Sequence, residues 1–426
     1  MSRPTVAVIG SGVSGLTAAH LLKDSHDVTL YEVEPRLGGH VHTHDVVDRD
    51  GTRHAVDSGF IVHNDRTYPL LRRLFAELDI AVRPTEMSMS ISCGGCGLEF
   101  AGGRGAKGIL ARPTRLRDPR FVRLLLDVTR FNKQAKAHLD DSAETDLTPL
   151  GQWLTDHGFD DYFTQHYAVA VVSCVWSSGH ETALRYPARY LFRFLDHHGL
   201  LRIGGSPQWY TVVGGSRTYV EAIVAALPDV RSGDPVVGVA RAARVQVRTA
   251  GGSVDTFDQV VIATHADQAL AMLADPTPEE QRVLGTFGYS VNRTLLHTDS
   301  SLLPRATRAR ASWNYALSHC DEEAGAARVT YWMNRLQGHE SDRDFLVTLN
   351  AEEQVDPGAV LARMDYTHPV YTPESVAAQG ELPTINSDTT AYAGAYHGWG
   401  FHEDGCRSGH AAADWTRARA TAPTQA

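Results

Sequence analysis

The sequence predicts an α/β fold built on a parallel, nucleotide-binding sheet, and two observations carry this prediction. Residues 5–10 (TVAVIG) form a continuous apolar run, which is typical of a strand buried on both faces of a parallel sheet. The glycines Gly10, Gly12 and Gly15 follow at once in a GxGxxG pattern. A helical stretch, a second apolar run and an acidic residue then complete the order of a Rossmann-like βαβ unit.

Each glycine of this pattern has its own predicted role. Gly10 permits the tight turn, Gly12 lets the backbone approach a pyrophosphate, and Gly15 allows the helix to pack close to the first strand. The helix begins at Val13 and Ser14, and its dipole and free N–H groups face the phosphates.

The predicted helix covers residues 13–23, and the second strand covers residues 27–32. This strand ends in Glu32, whose carboxylate is placed to accept the ribose hydroxyls of a dinucleotide. A GxGxxG pattern alone is a weak signal, but strand, glycines, helix, strand and acid together predict a bound dinucleotide.

Composition and charge restrict the class of protein. The chain has 426 residues, which is enough for two domains, and its 42% hydrophobic and 21% charged residues are typical of a globular protein. The net charge of -10 argues against nucleic acid as a partner. No apolar stretch is long enough to cross a bilayer, and the first strand starts too early to leave room for a signal peptide. We therefore expect a cytoplasmic protein.

The cysteines occur at positions 93, 96, 174, 320 and 406. This odd and sparse set predicts reduced thiols in a reducing compartment rather than a disulfide framework. Cys93 and Cys96 form a CxxC pattern without a second pair, so the sequence predicts no metal site. A redox pair is the alternative, and two reduced thiols beside a glycine turn are favoured over it.

The residues after the second strand distinguish between NAD and FAD. Residues 32–39 (EVEPRLGG) resemble the E-x-x-x-R-x-G-G continuation of the FAD-binding flavin amine oxidase and phytoene desaturase superfamily. The resemblance implies FAD, a glutathione-reductase-like cofactor domain, and a second glycine pair, Gly38 and Gly39, along the FAD diphosphate. It also implies cofactor contacts for Arg36 and for His40, which stands where the superfamily usually has arginine.

The resemblance extends to further segments of the cofactor domain. Residues 54–62 (HAVDSGFIV) read as one strand in which Gly59 lets the backbone pass close to the flavin ring, with Phe60 and Ile61 beside it. Residues 212–219 (VVGGSRTY) resemble the glycine pair before a helix that returns the chain to the cofactor domain.

The last implied cofactor contacts come from three later segments. A strand touches adenine, a buried strand ends beside the cofactor, and a closing motif at residues 392–409 combines a strand, a glycine loop and a helix. The N-terminus of this closing helix points at the flavin N1–C2=O edge, where negative charge accumulates on reduction. Val236 belongs to the first of these strands, and Ala263 and Thr264 end the second. The closing motif supplies Gly394, Gly405 and Cys406.

Two long stretches without a nucleotide signature separate these segments. We predict a discontinuous α+β substrate domain from residues 76–204 and 266–384. The low-complexity end, residues 421–426, predicts a disordered tail. The predicted FAD-binding domain, also discontinuous, consists of residues 1–75, 205–265 and 385–420.

Short phrases along nearly the whole chain sharpen the resemblance. They include PQW at 207–209, LLPR at 302–305 and GFHEDG at 400–405, and they look like a bacterial subfamily usually labelled only NAD/FAD-binding protein. Its members often occur beside cyclopropane-fatty-acid synthase-like methyltransferases, and some resemble a dehydrogenase of methylated fatty acyl chains in furan fatty acid formation. The resemblance therefore implies a lipid or fatty acyl substrate and a methyltransferase partner.

The flavin carries the hydride chemistry in this superfamily, and the protein places a C–H bond over N5. Many of its amine oxidases also place a lysine near N5, whereas this chain has lysines only at 23, 107, 133 and 136. The sequence thus favours an FAD-dependent dehydrogenase or desaturase of a lipid. A flavin amine oxidase-like enzyme on a small amine is one alternative. A flavin-dependent isomerase, or a flavoprotein without turnover that partners a lipid methyltransferase, is another.

Polar and aromatic side chains are dense in the closing motif. We predict His402, Glu403 and Tyr396 as candidate catalytic residues. His402 and Glu403 would relay or abstract a proton if their loop lies against the flavin, and the alternative is that they hold the loop by hydrogen bonds. Tyr396 would form an aromatic wall with Trp399 and Phe401, with ordinary packing as the alternative.

The segment from Arg104 to Lys136 is strongly basic, with ten basic and two acidic residues. A basic amphipathic helix predicts a peripheral contact with an anionic membrane. The alternative is a core helix whose charges lie on a solvated face. The apolar residues that recur at helical spacing are Phe121, Leu124, Leu125, Val128 and Phe131.

Overall fold

The structure is a computed structural model that describes residues 3–202, 206–320 and 328–420, so the predicted tail at 421–426 lies outside the described residues. The helices are α1 (Val13–Leu22), α2 (Pro69–Glu77), α3 (Gly105–Ile109), α4 (Pro119–Asp141), α5 (Leu150–Asp156), α6 (Asp161–Phe163), α7 (Val169–Trp176), α8 (His180–Arg185), α9 (Ala188–His197), α10 (Arg217–Val224), α11 (Ala266–Met272), α12 (Pro278–Leu284), α13 (Met333–Gln337), α14 (Pro373–Gln379) and α15 (His402–Ala420).

The strands are β1 (Thr5–Ile9), β2 (Asp27–Glu32), β3 (Thr43–Val47), β4 (Arg53–Asp57), β5 (Val62–Asn64), β6 (Val82–Thr85), β7 (Met89–Cys93), β8 (Glu99–Gly102), β9 (Trp209–Val212), β10 (Asp229–Ser232), β11 (Val236–Arg241), β12 (Val245–Thr249), β13 (Val254–Phe257), β14 (Gln259–Ile262), β15 (Gly288–His297), β16 (Trp313–Leu317), β17 (Val329–Trp332), β18 (Leu346–Leu349), β19 (Val360–Val370) and β20 (Thr390–Tyr392).

A five-stranded sheet carries the GxGxxG unit. Its order is β10-β2-β1-β14-β20, and every neighbouring pair is parallel. The central strand β1 is fully buried at Val6, Ala7 and Val8. All five strands come from the three segments predicted for the cofactor domain, and the predicted α/β fold with a parallel sheet is confirmed.

Helices α1 and α15 lie side by side on this sheet, and glycines set the distance between them. A Cβ atom at Gly405 would lie 2.5 Å from Val13 Cγ1, and one at Gly409 would lie 2.4 Å from the Ser14 carbonyl oxygen. Both distances are shorter than van der Waals contact. The two helices therefore approach this closely because these residues lack a side chain.

A seven-stranded mixed sheet is formed by strands from the segments predicted for the substrate domain. Its order is β19-β15-β18-β17-β16-β7-β8, and its pairs are antiparallel except for β16 with β7. Helices from α4 to α9 pack against one end of it through an apolar cluster that includes Phe100, Phe121, Phe131 and Trp153.

The segment predicted as one strand over residues 54–62 is two strands. β4 and β5 belong to different small sheets, β3-β4 and β5-β9-β6, and residues 58–61 separate them. In this gap the Phe60 N–H donates to the His40 carbonyl oxygen (2.8 Å). The prediction of one strand was wrong because this pairing interrupts the strand, and no local pattern signals it.

The closing helix starts earlier than the sequence predicts. His402 and Glu403 were expected in a loop before small residues at 411–413, but α15 begins at His402. The Gly405 N–H donates to the Phe401 carbonyl oxygen (3.0 Å), which closes the first turn. The polar side chains of this motif therefore project in different directions from a helix and do not share one surface.

The basic segment forms the long helix α4, but the apolar face chosen from the sequence points inward. Phe121 and Phe131 are 1% and 2% exposed and belong to the core cluster. Arg123 and Arg130 form ion pairs with Asp127 at 3.4 and 3.0 Å. This apolar face is covered by protein, as in the alternative of a core helix, and contact of the segment with an anionic membrane stays a prediction. In the described ranges, none of the helices is long and apolar enough to span a bilayer.

Candidate functional site

The three glycines of the GxGxxG turn are required for different reasons. Gly10 has φ +102°, and a Cβ there would lie 2.7 Å from the Ala263 carbonyl oxygen. A Cβ at Gly15 would lie 1.9 Å from the Gly10 carbonyl oxygen, so only glycine lets α1 pack on the turn. At Gly12, no atom of the described residues lies within 4 Å of an added Cβ. The turn is therefore open at Gly12, the position at which the backbone would approach a pyrophosphate.

Ser11 joins the two glycine loops and was not predicted as a site residue. Its hydroxyl donates to Glu32 Oε2 (2.5 Å) and accepts from the Gly38 N–H (2.9 Å), while its own N–H donates to Glu32 Oε2 (2.9 Å). Glu32 is held at the end of β2 but stays partly exposed, so it keeps lone pairs for ribose hydroxyls. The GxGxxG pattern allows any residue at position 11, so it gives no reason to single out Ser11.

The second glycine loop lies directly against the first. Gly39 has φ +58°, and a Cβ there would lie 3.1 Å from the Gly12 Cα atom. The Arg36 guanidinium donates to the Val41 carbonyl oxygen (2.8 Å) and pairs with Glu34 at 3.1 Å. Arg36 therefore fixes the shape of the second loop, and a direct contact with the cofactor stays a prediction.

The closing motif uses its predicted cofactor residues mainly for packing. Cys406 is fully buried, burial raises the pKa of its thiol to about 12, and the thiol contacts Thr17 of α1. The Gly394 N–H donates to the Ser408 hydroxyl (3.0 Å) and holds the turn before α15. The side of Gly405 faces α1 as well, and the cofactor contacts of Gly405 and Cys406 stay predictions.

Two of the remaining predicted residues adjoin the glycine turn, and the third, Val236, belongs to a different sheet. The Ala263 N–H donates to the Ile9 carbonyl oxygen (2.8 Å), and the Thr264 hydroxyl donates to the His265 carbonyl oxygen (3.1 Å). Val236 begins β11 of the antiparallel sheet β11-β12-β13 and is partly buried.

Gly59 is required by a close neighbour within the protein, and its approach to the flavin ring stays a prediction. A Cβ there would lie 2.0 Å from the His40 carbonyl oxygen, so the close backbone approach is to the second glycine loop. The Phe60 ring stacks on the His402 ring with 3.8 Å between centroids. The Ile61 carbonyl oxygen accepts the Thr211 hydroxyl (2.9 Å). Phe60 thereby connects this segment to the start of α15.

His40 points into the interior, where other histidines gather. Its ring centroid lies 5.3 Å from that of His368 and 6.4 Å from that of His265, and it is electrostatically coupled to His402. Tyr366 of β19 lies 5.2 Å away. Burial lowers the pKa of His40 well below its ordinary value, lowers that of His368 to about 4, and lowers that of His265. We call His40, His265, His368 and His402 the four-histidine cluster.

His402 and Tyr396 are both buried with unpaired polar atoms. Over the described residues, His402 Nε2 and the Tyr396 hydroxyl have no hydrogen-bond partner. Burial lowers the pKa of His402 to about 3 and raises that of Tyr396 well above its ordinary value. Tyr396 packs against Phe287 (5.1 Å) in an apolar cluster beside the parallel sheet, which favours packing over proton transfer. His402 is the candidate that adjoins other site residues.

Glu403 is occupied by backbone groups of another helix. Its two carboxylate oxygens accept the N–H groups of Leu70 (3.1 Å) and Leu71 (3.0 Å) in the first turn of α2. Arg407 lies 3.6 Å from the same carboxylate. The structure therefore supports the structural alternative, and Glu403 is a capping residue rather than a proton donor or acceptor.

A pocket of about 460 Å³ opens beside the first turn of α15. Phe401 lines it and stacks on Phe194 at 4.9 Å between centroids, so part of the predicted aromatic wall exists. Two arginines lie at the same pocket: Arg66 donates to the Asp196 carbonyl oxygen (2.7 Å), and Arg407 pairs with Asp404 at 3.0 Å. The other aromatic lining residues are Tyr68 and Trp399.

Asp57 is a buried carboxylate that sequence reasoning missed. It accepts the Thr43 hydroxyl (2.5 Å), the Ser216 N–H (3.0 Å) and hydroxyl (2.8 Å), and the Gln337 amide (2.8 Å). Burial raises its pKa to about 6. It fixes the glycine pair before α10 in place, and in the sequence it is only one residue of a strand pattern.

Comparison with protein families gives a match over most of the chain. A sequence model of the family described as flavin containing amine oxidoreductase matches residues 13–339. The match runs from α1 through the end of α13 and includes strands of both large sheets.

Solved structures with a similar fold cover nearly the whole chain. Cyclohexylamine oxidase from Brevibacterium oxydans IH-35A is 16% identical, with a TM-score of 0.71 over 98% of this chain and 99% of that one. A CLA-producing fatty acid isomerase from P. acnes is 16% identical, with a TM-score of 0.67 over 97% and 98%. At these identities the likeness shows a shared fold.

One curated relative matches a short segment. Carotenoid phi-ring synthase from Streptomyces griseus is 42% identical over 77 residues, which are 18% of this chain and 15% of that protein. The chain thus spans a small fraction of the length of this relative.

Proposed function

The chain belongs to the flavin-containing amine oxidoreductase family and is an FAD-dependent oxidoreductase, and we propose that it oxidises a lipid or fatty acyl chain by hydride transfer to the flavin. The observation that carries the proposal is the uncharged interior formed by the four-histidine cluster.

The glycine loops and helix ends fit FAD. The first turn of α1 has no side-chain cap, and Gly12 leaves open space in front of it. An anionic diphosphate there would meet free N–H groups and the positive end of the helix dipole. Bound FAD supplies the acceptor for a hydride.

The four-histidine cluster adjoins both cofactor-binding motifs. His40 follows the second glycine loop, and His402 opens α15. Because the pKa of each member is lowered, all four are neutral near pH 7. A neutral lining suits a reacting C–H bond in a hydrocarbon chain, whereas an ammonium substrate is usually met by an opposite charge. The absence of lysine after residue 136 supports the same choice.

The pocket beside α15 suits an acyl chain with an anionic head. Its aromatic walls, such as Phe194 and Phe401, offer apolar surface, and Arg66 and Arg407 offer cationic groups, of which Arg407 is already paired with Asp404 at 3.0 Å. We place the acyl chain in this pocket, with its head group towards the arginines. The names of two relatives, a fatty acid isomerase and a carotenoid synthase, also concern hydrocarbon substrates and support the proposal.

His402 is the proposed proton acceptor. Desaturation removes a hydride from one carbon and a proton from its neighbour. Among the described residues His402 Nε2 has no hydrogen-bond partner, so its lone pair is free to accept a proton. Its ring is held by stacking on Phe60. His402 can therefore receive the proton while the hydride leaves the neighbouring carbon.

Contact with an anionic membrane remains part of the proposal, on the outer side of α4. Val122 and Leu126 are 37% and 67% exposed there, beside exposed Arg120 and Lys133. Leu126→Glu should weaken cosedimentation with phosphatidylglycerol vesicles, whereas Val291→Glu, at a 62% exposed valine of β15, should not.

A lipid methyltransferase would act on the same acyl chains, and we keep it as the proposed partner.

Anaerobic reduction of the holoprotein tests the proposed substrate class. Phospholipids and fatty acids should bleach the flavin absorbance near about 450 nm and yield a product that has lost two hydrogens. Small amines should leave the absorbance unchanged, and Gly12→Val protein serves as the flavin-free control. Bleaching by amines alone would replace the proposal with an amine oxidase. A lipid product of unchanged mass with a moved double bond would indicate an isomerase.

A further inference from the structure

Three cysteines and one histidine meet at one end of the seven-stranded sheet. The Sγ atoms of Cys93, Cys96 and Cys320 and a ring nitrogen of His166 all lie within 4.8 Å of one another. Cys93 Sγ is 3.8 Å from Cys320 Sγ, and Cys96 Sγ is 3.7 Å from His166 Nε2. We call these four residues the cysteine–histidine cluster.

These separations match the coordination of zinc. Zn–S bonds of about 2.3 Å and Zn–N bonds of about 2.0 Å at the tetrahedral angle separate two sulfurs by about 3.8 Å, and a sulfur and a nitrogen by about 3.5 Å. All four side chains belong to the ligand types that Zn²⁺ prefers. We propose that the cysteine–histidine cluster binds one Zn²⁺ ion.

The CxxC segment is folded into a tight turn that points both thiols the same way. The Gly97 N–H donates to the Cys93 carbonyl oxygen (2.8 Å), and the Cys93 N–H donates to the Leu98 carbonyl oxygen (2.9 Å). Gly97 has φ +70°, a conformation that favours glycine. This turn places Cys96 beside Cys93 and towards the helices.

The glycines between the two cysteines let the segment that carries Cys320 come close. A Cβ at Gly94 would lie 2.9 Å from the Ser318 carbonyl oxygen, and one at Gly95 would lie 3.1 Å from the His319 Cα atom. Both glycines are therefore required by the approach of the chain after β16. That approach delivers the third thiol.

His166 is oriented as a metal ligand. It is fully buried in a single π-helical turn, Thr164–Ala168, a feature that often occurs at functional sites. Its Nδ1 lies 3.0 Å from the Tyr162 carbonyl oxygen, so Nδ1 carries the proton and Nε2 presents a lone pair. The Tyr162 ring stacks on the imidazole at 4.0 Å and fixes its plane.

The surroundings compensate the charge of such a site. Three thiolates and Zn²⁺ carry a net charge of -1. The Arg115 guanidinium donates to the Cys96 carbonyl oxygen, and the Arg120 guanidinium lies 5.4 Å from the centre of the Tyr162 ring. Asp118 pairs with both arginines at 3.3 Å, so the three side chains together carry one positive charge beside the cluster, which favours an anionic metal centre.

Four protein ligands leave no open position, so the proposed zinc is structural rather than catalytic. Its ligands come from the end of β7, from the chain after β16, and from the turn between α6 and α7. The ion would therefore fasten the helices of the substrate domain to the C-terminal ends of the parallel strands β7 and β16. The sequence predicted no metal site because no second cysteine pair follows Cys96, and the fold supplies the other two ligands from remote positions.

Metal analysis of the purified holoprotein tests this proposal. Elemental analysis after purification without chelators should find one zinc per chain, and Co²⁺ exchanged into the site should show thiolate-to-cobalt charge-transfer absorption. Cys320→Ala and His166→Ala should lose the zinc. Cys174→Ala is the matched control, because Cys174 is buried in the same apolar cluster but is not a ligand, and it should keep the zinc.

The wild-type measurements decide the proposal even if the ligand variants fail to fold. Titration of native protein with a thiol reagent should release zinc to a chelating dye in step with thiol modification. Protein that carries no zinc, that carries iron in its place, or that shows a disulfide between Cys93 and Cys320 by mass spectrometry would overturn the proposal. Zinc retained in a folded Cys320→Ala variant would do the same.

Discussion

The opening motif at residues 5–39 and the closing motif at residues 392–409 are built from the same parts: a strand, a glycine-rich turn and a helix. Their side chains are used differently. In the opening motif Gly12 faces open space, whereas in the closing motif Gly409 faces the backbone of α1 and Glu403 caps α2. A glycine motif thus indicates a backbone path, while the role of each residue depends on what the fold places next to it.

The largest expected effect belongs to the open glycine. Gly12→Val should leave the protein folded, because its Cβ meets no described atom, and should abolish FAD binding, because the side chain fills the space of the diphosphate. Gly288→Val is the matched control, since Gly288 is exposed and its added Cβ also meets nothing within 4 Å among the described residues. Flavin absorbance per chain and thermal unfolding are the measurements. Gly12→Val protein with a full flavin content would place the diphosphate elsewhere.

The next effect tests the packing role of the closing glycines. In a helix, Gly→Ala normally stabilises by about 1 kcal/mol. At Gly409 the added Cβ would lie 2.4 Å from a carbonyl oxygen of α1, so Gly409→Ala should instead destabilise by about 1–3 kcal/mol. Gly151→Ala in α5 is the helical control: its added Cβ lies 3.3 Å from Leu184, which offsets part of the usual gain, so it should stabilise by less than about 1 kcal/mol. Urea unfolding measures both, and a stabilised Gly409→Ala variant would contradict the close helix contact.

A smaller effect separates the two polar neighbours at the start of α15. Glu403→Ala should lose about 1–2 kcal/mol of stability, because two N–H groups of α2 lose their acceptor. It should keep the rate at which substrate reduces the flavin. His402→Ala should keep FAD and slow that reduction. Equal losses of rate in both variants would mean that Glu403 also takes part in the proton transfer.

The smallest effect follows from the buried histidines. The pKa values of these histidines are lower in the folded chain than the ordinary value of about 6.5, so the unfolded chain binds protons more tightly. Their contribution to stability is complete above that value and is lost as the pH falls from it towards the folded pKa. For a histidine with a folded pKa of about 4, such as His368, the loss at pH 5.5 relative to pH 8 should be about 1.4 kcal/mol.

His368, with a folded pKa of about 4, provides the test of this pH dependence. His368→Gln should reduce the pH dependence of urea unfolding between pH 5.5 and 8, because one proton fewer is taken up on unfolding. An unchanged slope would mean that His368 is not neutral in the folded chain.

Local signals predicted the opening motif almost residue by residue. The helix predicted over 13–23 is observed at Val13–Leu22, and the strand predicted over 27–32 is observed at Asp27–Glu32. This short stretch contains an apolar run, a set of glycines and an acid. The sequence alone therefore indicates both the secondary-structure elements and a bound dinucleotide. The strand predicted over 54–62 failed because its break is imposed by pairing with another loop.

Contacts between remote positions could not be predicted in this way. Cys320 lies 227 residues after Cys93, and neither it nor His166 belongs to a pattern that points to the CxxC turn. Asp57 likewise acquires its role from Ser216, which is 159 residues away. Burial and hydrogen bonding at these sites arise only when the sheets assemble. The sequence therefore shows which residue types are present but does not show which of them come into contact.

The central claim is that a C–H bond of an acyl chain is broken when the flavin is reduced, and isotopic substitution tests it most directly. Wild-type holoprotein is mixed anaerobically with a phospholipid extract, and in parallel with the same extract carrying deuterated acyl chains. Our account predicts that both extracts bleach the flavin and that the deuterated extract does so more slowly, because a carbon–deuterium bond is cleaved during the hydride transfer. Equal rates with the two extracts, or no bleaching by either, would contradict it.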